Sequence, residues 1–432
     1  MSCYPSTMPN IRLVLPRPHI RQREVIAQSK RFNVVDCGRR WGKTELGMDR
    51  IVHPALAGRP VAWFAPSYKQ LAPVWRDLQT RLAPVTATVS QVEHRLGLIG
   101  GGAVEMWSLD SPDAGRGRAY ARVVIDEAAL VMNLKTAWEQ SIRPMLTDYR
   151  GDAWFLSTPK GIANYFHELY NRGADQAETE WARWQMASAT NPYIPAGEIE
   201  SARPDMTDLA FQQEYLAQFV SWEGSVFRCI DQAVYDVPNE AGTGVIIGVD
   251  WGRTHDFTAF VALDRQGRVS AMDHFRGIEY SLQRARLQAF WEHSSRCRAP
   301  VLAEVNSMGG PVVEQLQRDG MPVYAFTTTN QSKAIAIEAL ALAFERGKIK
   351  IPNDPVLIGE LQAFEGRTLP SGAIQYGAPK GENNHDDYVM ALAIAWSGYE
   401  GVTEQRPSRI WADPSSGAMA SQPFEPVVIS PY

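Results

Sequence analysis

The sequence has little cysteine and no paired cysteines: Cys3, Cys37, Cys229 and Cys297 are scattered, with no C-x-x-C among them. That argues against a disulfide framework or a structural zinc site, and it fits a reducing cytoplasm. Long apolar runs are missing as well. No stretch approaches the roughly 18 residues that a membrane-spanning helix needs, and no basic segment followed by an apolar one opens the chain, so neither insertion nor secretion is expected. Nor is there an excess of positive charge, because 43 Lys and Arg face 48 Asp and Glu, for a formal net charge of −5. A wholly basic nucleic-acid binder is argued against, and any contact with a polyanion must be concentrated in a local groove.

What is present is a soluble globular composition, 45% hydrophobic and 21% charged over 432 residues, long enough for two cores and a small appendage. From Phe32 to Ser157 short apolar runs (Phe32–Cys37, Val61–Ala65, Ala103–Trp107, Arg122–Asp126, Ala153–Ser157) alternate with helix-like segments. Several run apolar without alternation, as parallel strands buried on both faces do, which predicts an α/β domain. An aromatic strand at Trp181–Met186, the turn Asn191-Pro192, and helical spacing from Pro195 through Phe211, Tyr215 and Phe219 read as a small appended subdomain. A second set of strands, Val245–Trp251, Phe257–Leu263 and Arg268–Phe275, reads as an antiparallel meander, followed by a helix near Ser281–Ser294 and a strand at Val301–Val305. A terminal helix opens at His385-Asp386-Asp387, and after Gly398 the periodicity is lost, which predicts a flexible tail over 401–432.

The strand Phe32–Cys37 runs into Gly38-Arg39-Arg40-Trp41-Gly42-Lys43-Thr44 and then a helix, the context a phosphate-binding loop requires. Gly42 permits close backbone approach, helix N-terminal amides face phosphate oxygens, Lys43 reaches the β and γ phosphates, and Thr44 is suited to Mg²⁺. The usual first glycine position is Cys37, so the loop is a deviant form. Val123-Val124-Ile125-Asp126-Glu127 ends a strand in two acids, Asp126 for the Mg²⁺ shell and Glu127 for polarising water. Ser157 and Thr158 end the next strand with hydroxyls suited to sensing the γ-phosphate. Arg39, in the loop, and Arg143, in Ile142-Arg143-Pro144, are candidates to stabilise charge in phosphoryl transfer; a surface ion pair or a DNA phosphate contact is the alternative for each.

The second half carries acids at three informative points: Asp250 in an apolar strand, Glu304 in the fourth strand, and Asp386 and Asp387 at the terminal helix. In an RNase H-like fold these elements lie side by side, and hard oxygen ligands there hold two Mg²⁺ or Mn²⁺ ions for phosphodiester cleavage. Asp250 stands inside Val245-Ile246-Ile247-Gly248-Val249, where an unpaired carboxylate is costly. Asp386 also suits a helix N-cap. Asp256 is a candidate supporting acid or an exposed loop residue, and His385 a candidate to orient a ligand or contact phosphate.

Taken together, Cys37–Thr44, Val124-Ile125-Asp126-Glu127-Ala128 and Ser157-Thr158-Pro159-Lys160-Gly161 resemble the ATPase half of tailed-phage large terminase subunits. Gly248-Val249-Asp250, Glu304-Val305-Asn306 and His385-Asp386-Asp387 resemble the nuclease half, and the likeness runs from about Pro16 to Trp396. The resemblance implies a P-loop ATPase domain of the ASCE type over 1–230, with a lid or linker subdomain at about 175–230, followed by an RNase H-like nuclease domain over 231–400. It implies that Gln22 reads adenine, that Gly38, Arg39, Arg40, Trp41, Gly42, Lys43 and Thr44 cradle ATP with Mg²⁺, that Asp126 is the Walker B acid and Glu127 the base, and that Ser157-Thr158 couples hydrolysis to movement. Arg143 would reach an adjacent subunit's site. Asp250, Glu304 and one or both of Asp386 and Asp387, with Asp387 preferred, would bind the nuclease ions. Implied partners are double-stranded DNA, the portal protein of the procapsid, a small terminase subunit and further copies in a ring of five, in the cytoplasm of an infected bacterium. No strong oligomerisation element stands out, so a monomer in solution is compatible with the sequence. The competing reading is an ATP-dependent helicase or remodeller with a non-catalytic RNase H-like domain, although no further helicase motifs appear. A transposition or junction nuclease would leave the ATPase half unexplained.

Overall fold

The computed structural model describes residues 11, 13, 15–221, 226–235, 243–252, 257–296, 298–306, 309–369, 374–379 and 385–403. Asp256 and residues 404–432 of the expected tail lie outside the described residues, while 401–403 end the last helix, Asp387–Thr403. The chain divides into two compact units, Met1–Arg228 with Gln362–Glu382, and Cys229–Leu361 with Asn383–Tyr432.

The first unit is built on strands β1 (Phe32–Cys37), β2 (Pro60–Ala65), β3 (Thr86–Ser90), β4 (Arg95–Leu98), β5 (Ala103–Ser108), β6 (Arg122–Asp126), β7 (Asp152–Ser157) and β8 (Trp181–Met186). They form one eight-stranded sheet in the order β3-β4-β5-β2-β6-β7-β1-β8. From β5 to β8 every neighbouring pair is parallel, and β3 and β4 add an antiparallel edge. The unbroken apolar runs have a direct cause: both faces are covered. Val35, Trp63, Val124 and Trp154 pack on one face with Leu46, Ile51, Leu71 and Leu78 of two helices, Lys43–Leu56 and Tyr68–Leu82. Val34, Phe64, Ile125 and Phe155 pack on the other with Trp138, Ile142 and Phe166. β7 intervenes between β1 and β6, the extra strand that defines the ASCE arrangement.

Two local expectations change. Trp181–Met186 is the edge strand of the main sheet, paired in parallel with β1 from Phe32↔Trp181 to Cys37↔Met186. Half of an edge strand faces solvent, so its alternation of aromatic and polar residues hides its membership of a buried sheet. The helix expected to run through Phe219 spans only Asp208–Glu214, and the chain from Tyr215 on returns toward the phosphate loop.

The second unit holds β9 (Val234–Tyr235), β10 (Ile246–Asp250), β11 (Phe257–Leu263), β12 (Val269–Arg276), β13 (Val301–Glu304), β14 (Val323–Phe326) and β15 (Ile351–Pro352). Five of them form a sheet in the order β12-β11-β10-β13-β14, with the expected antiparallel meander β10-β11-β12 and parallel β10-β13-β14, an RNase H-like topology. β9 and β15 pair with each other. A hairpin of β16 (Glu365–Thr368) and β17 (Ile374–Gly377) belongs to the first unit. The terminal helix lies on β10 and β11. Gly248 makes this possible, since a Cβ there would stand 2.1 Å from the Ala391 carbonyl oxygen and 2.5 Å from the Ala395 nitrogen. The close approach brings the N-terminus of that helix to the end of β10 that carries Asp250.

Candidate functional site

At the end of β1 the loop turns through Arg40 and Gly42, whose φ angles of 63° and 103° are left-handed. Gly42 caps the helix that starts at Lys43, with Thr44 as its second residue. The buried Lys43 ammonium donates to the Thr158 hydroxyl at 2.8 Å and lies 4.0 Å from Glu127. Three motifs thus meet although the first and last, at Lys43 and Thr158, are 115 residues apart in sequence. Ser157 ties them further, its hydroxyl accepting from the Ala129 amide and donating to the Thr158 carbonyl. Asp126 is buried, and burial first, then the Glu127 charge, pushes its carboxyl up to about 7 against the opposing pull of Lys43. Glu127 has a left-handed backbone, φ 49°, which turns the chain sharply after β6.

The loop is held from outside by residues with no motif of their own. Gln22 is buried; its oxygen accepts from the His19 amide at 2.9 Å and its nitrogen donates to the Gly42 carbonyl at 2.9 Å. It therefore braces the loop, and one N–H and one oxygen lone pair remain available to an adenine. Trp41 is fully buried, its indole N–H donating to Thr190, so it contributes backbone and packing to the cradle. Ser188 donates to the Arg39 carbonyl at 2.6 Å and Asn191 to that of Arg40 at 2.8 Å. A Cβ on Gly38 would meet Ser188 Oγ at 2.4 Å. The Arg39 guanidinium pairs with Glu214, which Lys160 also engages at 2.6 Å. Burial raises the Glu214 pKa, but these two cations outweigh it and hold the carboxyl below its usual range.

Beneath the loop, Asp36 is fully buried in β1 between Ser157 of β7 and Gln185 of β8, and neither carboxylate oxygen has a hydrogen-bond partner of good geometry. Burial pushes its pKa well up, opposed by the charge of Lys43 and by the nearby Gln185 amide.

In the second unit, sheet register gathers the acids. Asp250 stands opposite Ala259 of β11, and Ala259 opposite His274 of β12, in one row across the sheet, with Glu304 ending the neighbouring β13. Burial, then the charge and hydrogen bond of Glu304, then Asp387 and Asp386, push the Asp250 carboxyl well up. Asp386 accepts from Lys333 Nζ at 3.0 Å. The ring of His385 is 4.9 Å from Phe257, and its Nδ1 is 3.8 Å from Asp387. Glu360 caps the terminal helix by accepting from the Tyr388 and Val389 amides at 2.9 and 3.2 Å, and burial pushes its carboxyl up to about 8. A carboxylate cluster this crowded calls for a compensating cation.

Comparison with known proteins agrees with both halves of the fold. Residues 36–232 match the family model described as terminase large subunit, T4likevirus-type, N-terminal, and residues 247–397 that of the terminase RNaseH-like domain. The large terminase subunit of Thermus phage G20c is 30% identical over 351 residues, 73% of this chain and 71% of that protein.

The chain belongs to the large terminase subunit family.

Among solved structures, the large terminase of another thermophilic bacteriophage (crystal form 2) superposes with a TM-score of 0.55 at 15% identity, over 87% of this chain and 97% of that one. The G20c large terminase nuclease with bound magnesium aligns over 40% of this chain and 97% of its own at 29% identity, with a TM-score of 0.36.

Within this terminase fold, Arg143 stands apart from the other predicted site residues. Its guanidinium lies 4.8 Å from the centre of the Phe32 ring, at the opposite end of β1 from the loop, roughly 20 Å away for a strand of this length. Burial and the neighbouring Arg31 lower its pKa. The structure does not bring it to Lys43, Glu127 and Thr158 of its own chain. Sequence reasoning missed Asp36, Glu214, His274 and Glu360 as site residues; for Asp36 the available signal was an acid inside an apolar strand, the same signal that marked Asp250.

Proposed function

We propose that this chain is the motor and nuclease subunit that packages viral DNA, hydrolysing ATP to translocate double-stranded DNA into a procapsid and cutting the concatemer. The observation that carries the ATPase assignment is the convergence of Lys43, Thr158 and Glu127 at the N-terminus of one helix. ATP phosphates would lie against the amides following Gly42, with Lys43 on the β and γ oxygens, Thr44 and Asp126 holding Mg²⁺, and Glu127 orienting and deprotonating the attacking water. Lys43 then exchanges Thr158 for phosphate, so the Ser157-Thr158 segment senses nucleotide directly. Arg39 leaves Glu214 to reach its own nucleotide. The distance of Arg143 from the site of its own chain supports an action on the neighbour's nucleotide in a ring, taken as five subunits, with a monomer in solution.

For cleavage, Asp250, Glu304, Asp386 and Asp387 would hold two Mg²⁺ or Mn²⁺ ions, which supply water activation and stabilisation of the leaving oxygen. The raised pKa of Asp250 among like charges supports this fit. Functional boundaries near 230, with a lid or linker at about 175–230 and a nuclease domain over 231–400, are supported by family matches that meet on either side of this point. The portal protein and a small terminase subunit are the proposed partners, and the host cytoplasm the site of action. Among the described residues no helix is long and apolar enough to cross a membrane. Measuring DNA-stimulated ATP turnover and Mn²⁺-dependent plasmid cleavage on one preparation tests the assignment. An ATPase that never cuts across metals and pH would favour a remodeller with an inert RNase H-like domain.

A further inference from the structure

Beside the carboxylate cluster, three side chains that can ligate a metal converge. His274, Glu360 and Asp387 each offer a ligand atom within 4.8 Å of those of the other two, and His274 Nε2 is 4.0 Å from Asp387 Oδ2. His274 Nε2, Glu360 Oε1 and Asp387 Oδ2 are buried and have no hydrogen-bond partner among the described residues. Glu360 is only 7% exposed, and its other oxygen is committed to the helix cap, which fixes the direction of the free one. His274 is locked as well, its ring stacked between Phe257 at 4.1 Å and Tyr388 at 4.5 Å. Ala259, opposite both Asp250 and His274, leaves space in the row between the two clusters. Leaving three buried polar atoms unpaired within a few ångströms is costly unless something joins them.

We propose that His274, Glu360 and Asp387 form a further divalent-cation site beside the cluster of Asp250, Glu304 and Asp386, with Asp387 common to both, and that its nitrogen-and-oxygen ligand set selects a borderline ion such as Zn²⁺, Co²⁺ or Mn²⁺ over Mg²⁺. Imidazole favours such ions, whereas an all-carboxylate set suits the harder Mg²⁺. The ligand atoms come from β12, from the helix Pro355–Ala363 and from the first residue of the terminal helix, so an ion here adds β12 to the two helices that the Glu360 cap already joins. It also fixes the orientation of Asp387, whose charge bears on Asp250. The site stands on these atoms alone, whether or not the neighbouring acids cut DNA.

The test is metal uptake by the full-length protein after chelation and dialysis, titrated calorimetrically with Co²⁺, with Zn²⁺ and with Mg²⁺, and by visible absorption for Co²⁺. His274→Ala removes the nitrogen ligand. Glu360→Gln weakens the oxygen ligand while its amide oxygen still accepts from Tyr388 and Val389, so the helix cap survives. Each variant should lose one equivalent of Co²⁺ and Zn²⁺, with affinity reduced by about 10²-fold or more, and the Co²⁺ spectrum should change. Mg²⁺ uptake should change by less than about twofold, since the carboxylate cluster keeps its ligands. Folded variants that bind Co²⁺ and Zn²⁺ as the parent does would overturn the proposal. So would a parent that binds neither ion at this stoichiometry, or variants in which Mg²⁺ uptake falls in parallel with Co²⁺. Should His274→Ala fail to fold, Glu360→Gln decides alone.

Discussion

Arg39 of the phosphate loop is ion-paired with Glu214, 175 residues later in the chain, and Lys160, next to the Ser157-Thr158-Pro159 segment, binds the same carboxylate. One acid thus holds two cations that flank the proposed nucleotide site, and Arg39 must leave it before its guanidinium can meet a phosphate.

Glu214→Gln should therefore free Arg39 and raise DNA-independent ATP turnover by about threefold or more, a change of somewhat under 1 kcal/mol in the barrier, with KM nearly constant. Steady-state kinetics without DNA check this. Unchanged turnover, with the fold intact by circular dichroism, would mean that Arg39 does not act on its own nucleotide.

Lys43→Ala should abolish ATP turnover and leave Mn²⁺-dependent plasmid cleavage largely intact, because the two sets of residues belong to different units. Glu127→Gln should bind ATP within about threefold of the parent and lose turnover by about 10²-fold or more, since it removes a base and leaves the cradle. Equal loss of affinity and rate in Glu127→Gln would reject its role as base.

Asp36 gives a pH signature in the absence of nucleotide. Its folded-state pKa is raised, so the folded chain holds this proton more tightly than the unfolded chain does. The stability it contributes is full below the ordinary aspartate pKa of about 4 and falls as pH rises toward the raised value. Asp36→Asn removes that slope, so the variant should exceed the parent by about 1–3 kcal/mol at pH 8 and converge with it toward pH 4, measured by urea unfolding. A variant that is less stable than the parent at pH 8 would show that the carboxylate has a partner that compensates its charge.

These residues also mark where the sequence stops being legible. The loop, the Asp126-Glu127 strand end and the Ser157-Thr158 exit could be read because each is contiguous and each ends an apolar run. Asp250, Glu304 and the Asp386-Asp387 pair could be read because a known topology predicts which strand ends meet. β8 could be read as a strand but not as part of the main sheet, since an edge strand alternates like a surface element. His274 and Glu360 could not, because one reaches the cluster only through the register Asp250↔Ala259↔His274 and the other through the cap of a helix that begins well beyond it in sequence. Glu214 lies in a short helix whose contact with the loop depends on how the chain after Asn191 folds back.

The last prediction separates a metal-dependent nuclease from an inert RNase H-like domain. Asp250 is pushed up by burial and by Glu304, Asp387 and Asp386, so in metal-free buffer it lowers stability as pH rises above the ordinary aspartate value. Asp250→Asn keeps the shape and removes the charge. It should melt at or above the parent in EDTA, with the advantage growing from pH 5 to pH 8, while plasmid cleavage falls by about 10³-fold or more because a ligand of the reacting ions is lost. Adding Mn²⁺ should raise the melting temperature of the parent more than that of the variant, since binding to the folded state alone stabilises it. A variant that melts lower than the parent in EDTA at pH 8 would mean that the Asp250 carboxylate is satisfied by the protein itself. If the variant also cut DNA at the parental rate, the acid cluster would not be the cleavage site, and the terminase's cutting activity would have to be sought elsewhere in the chain.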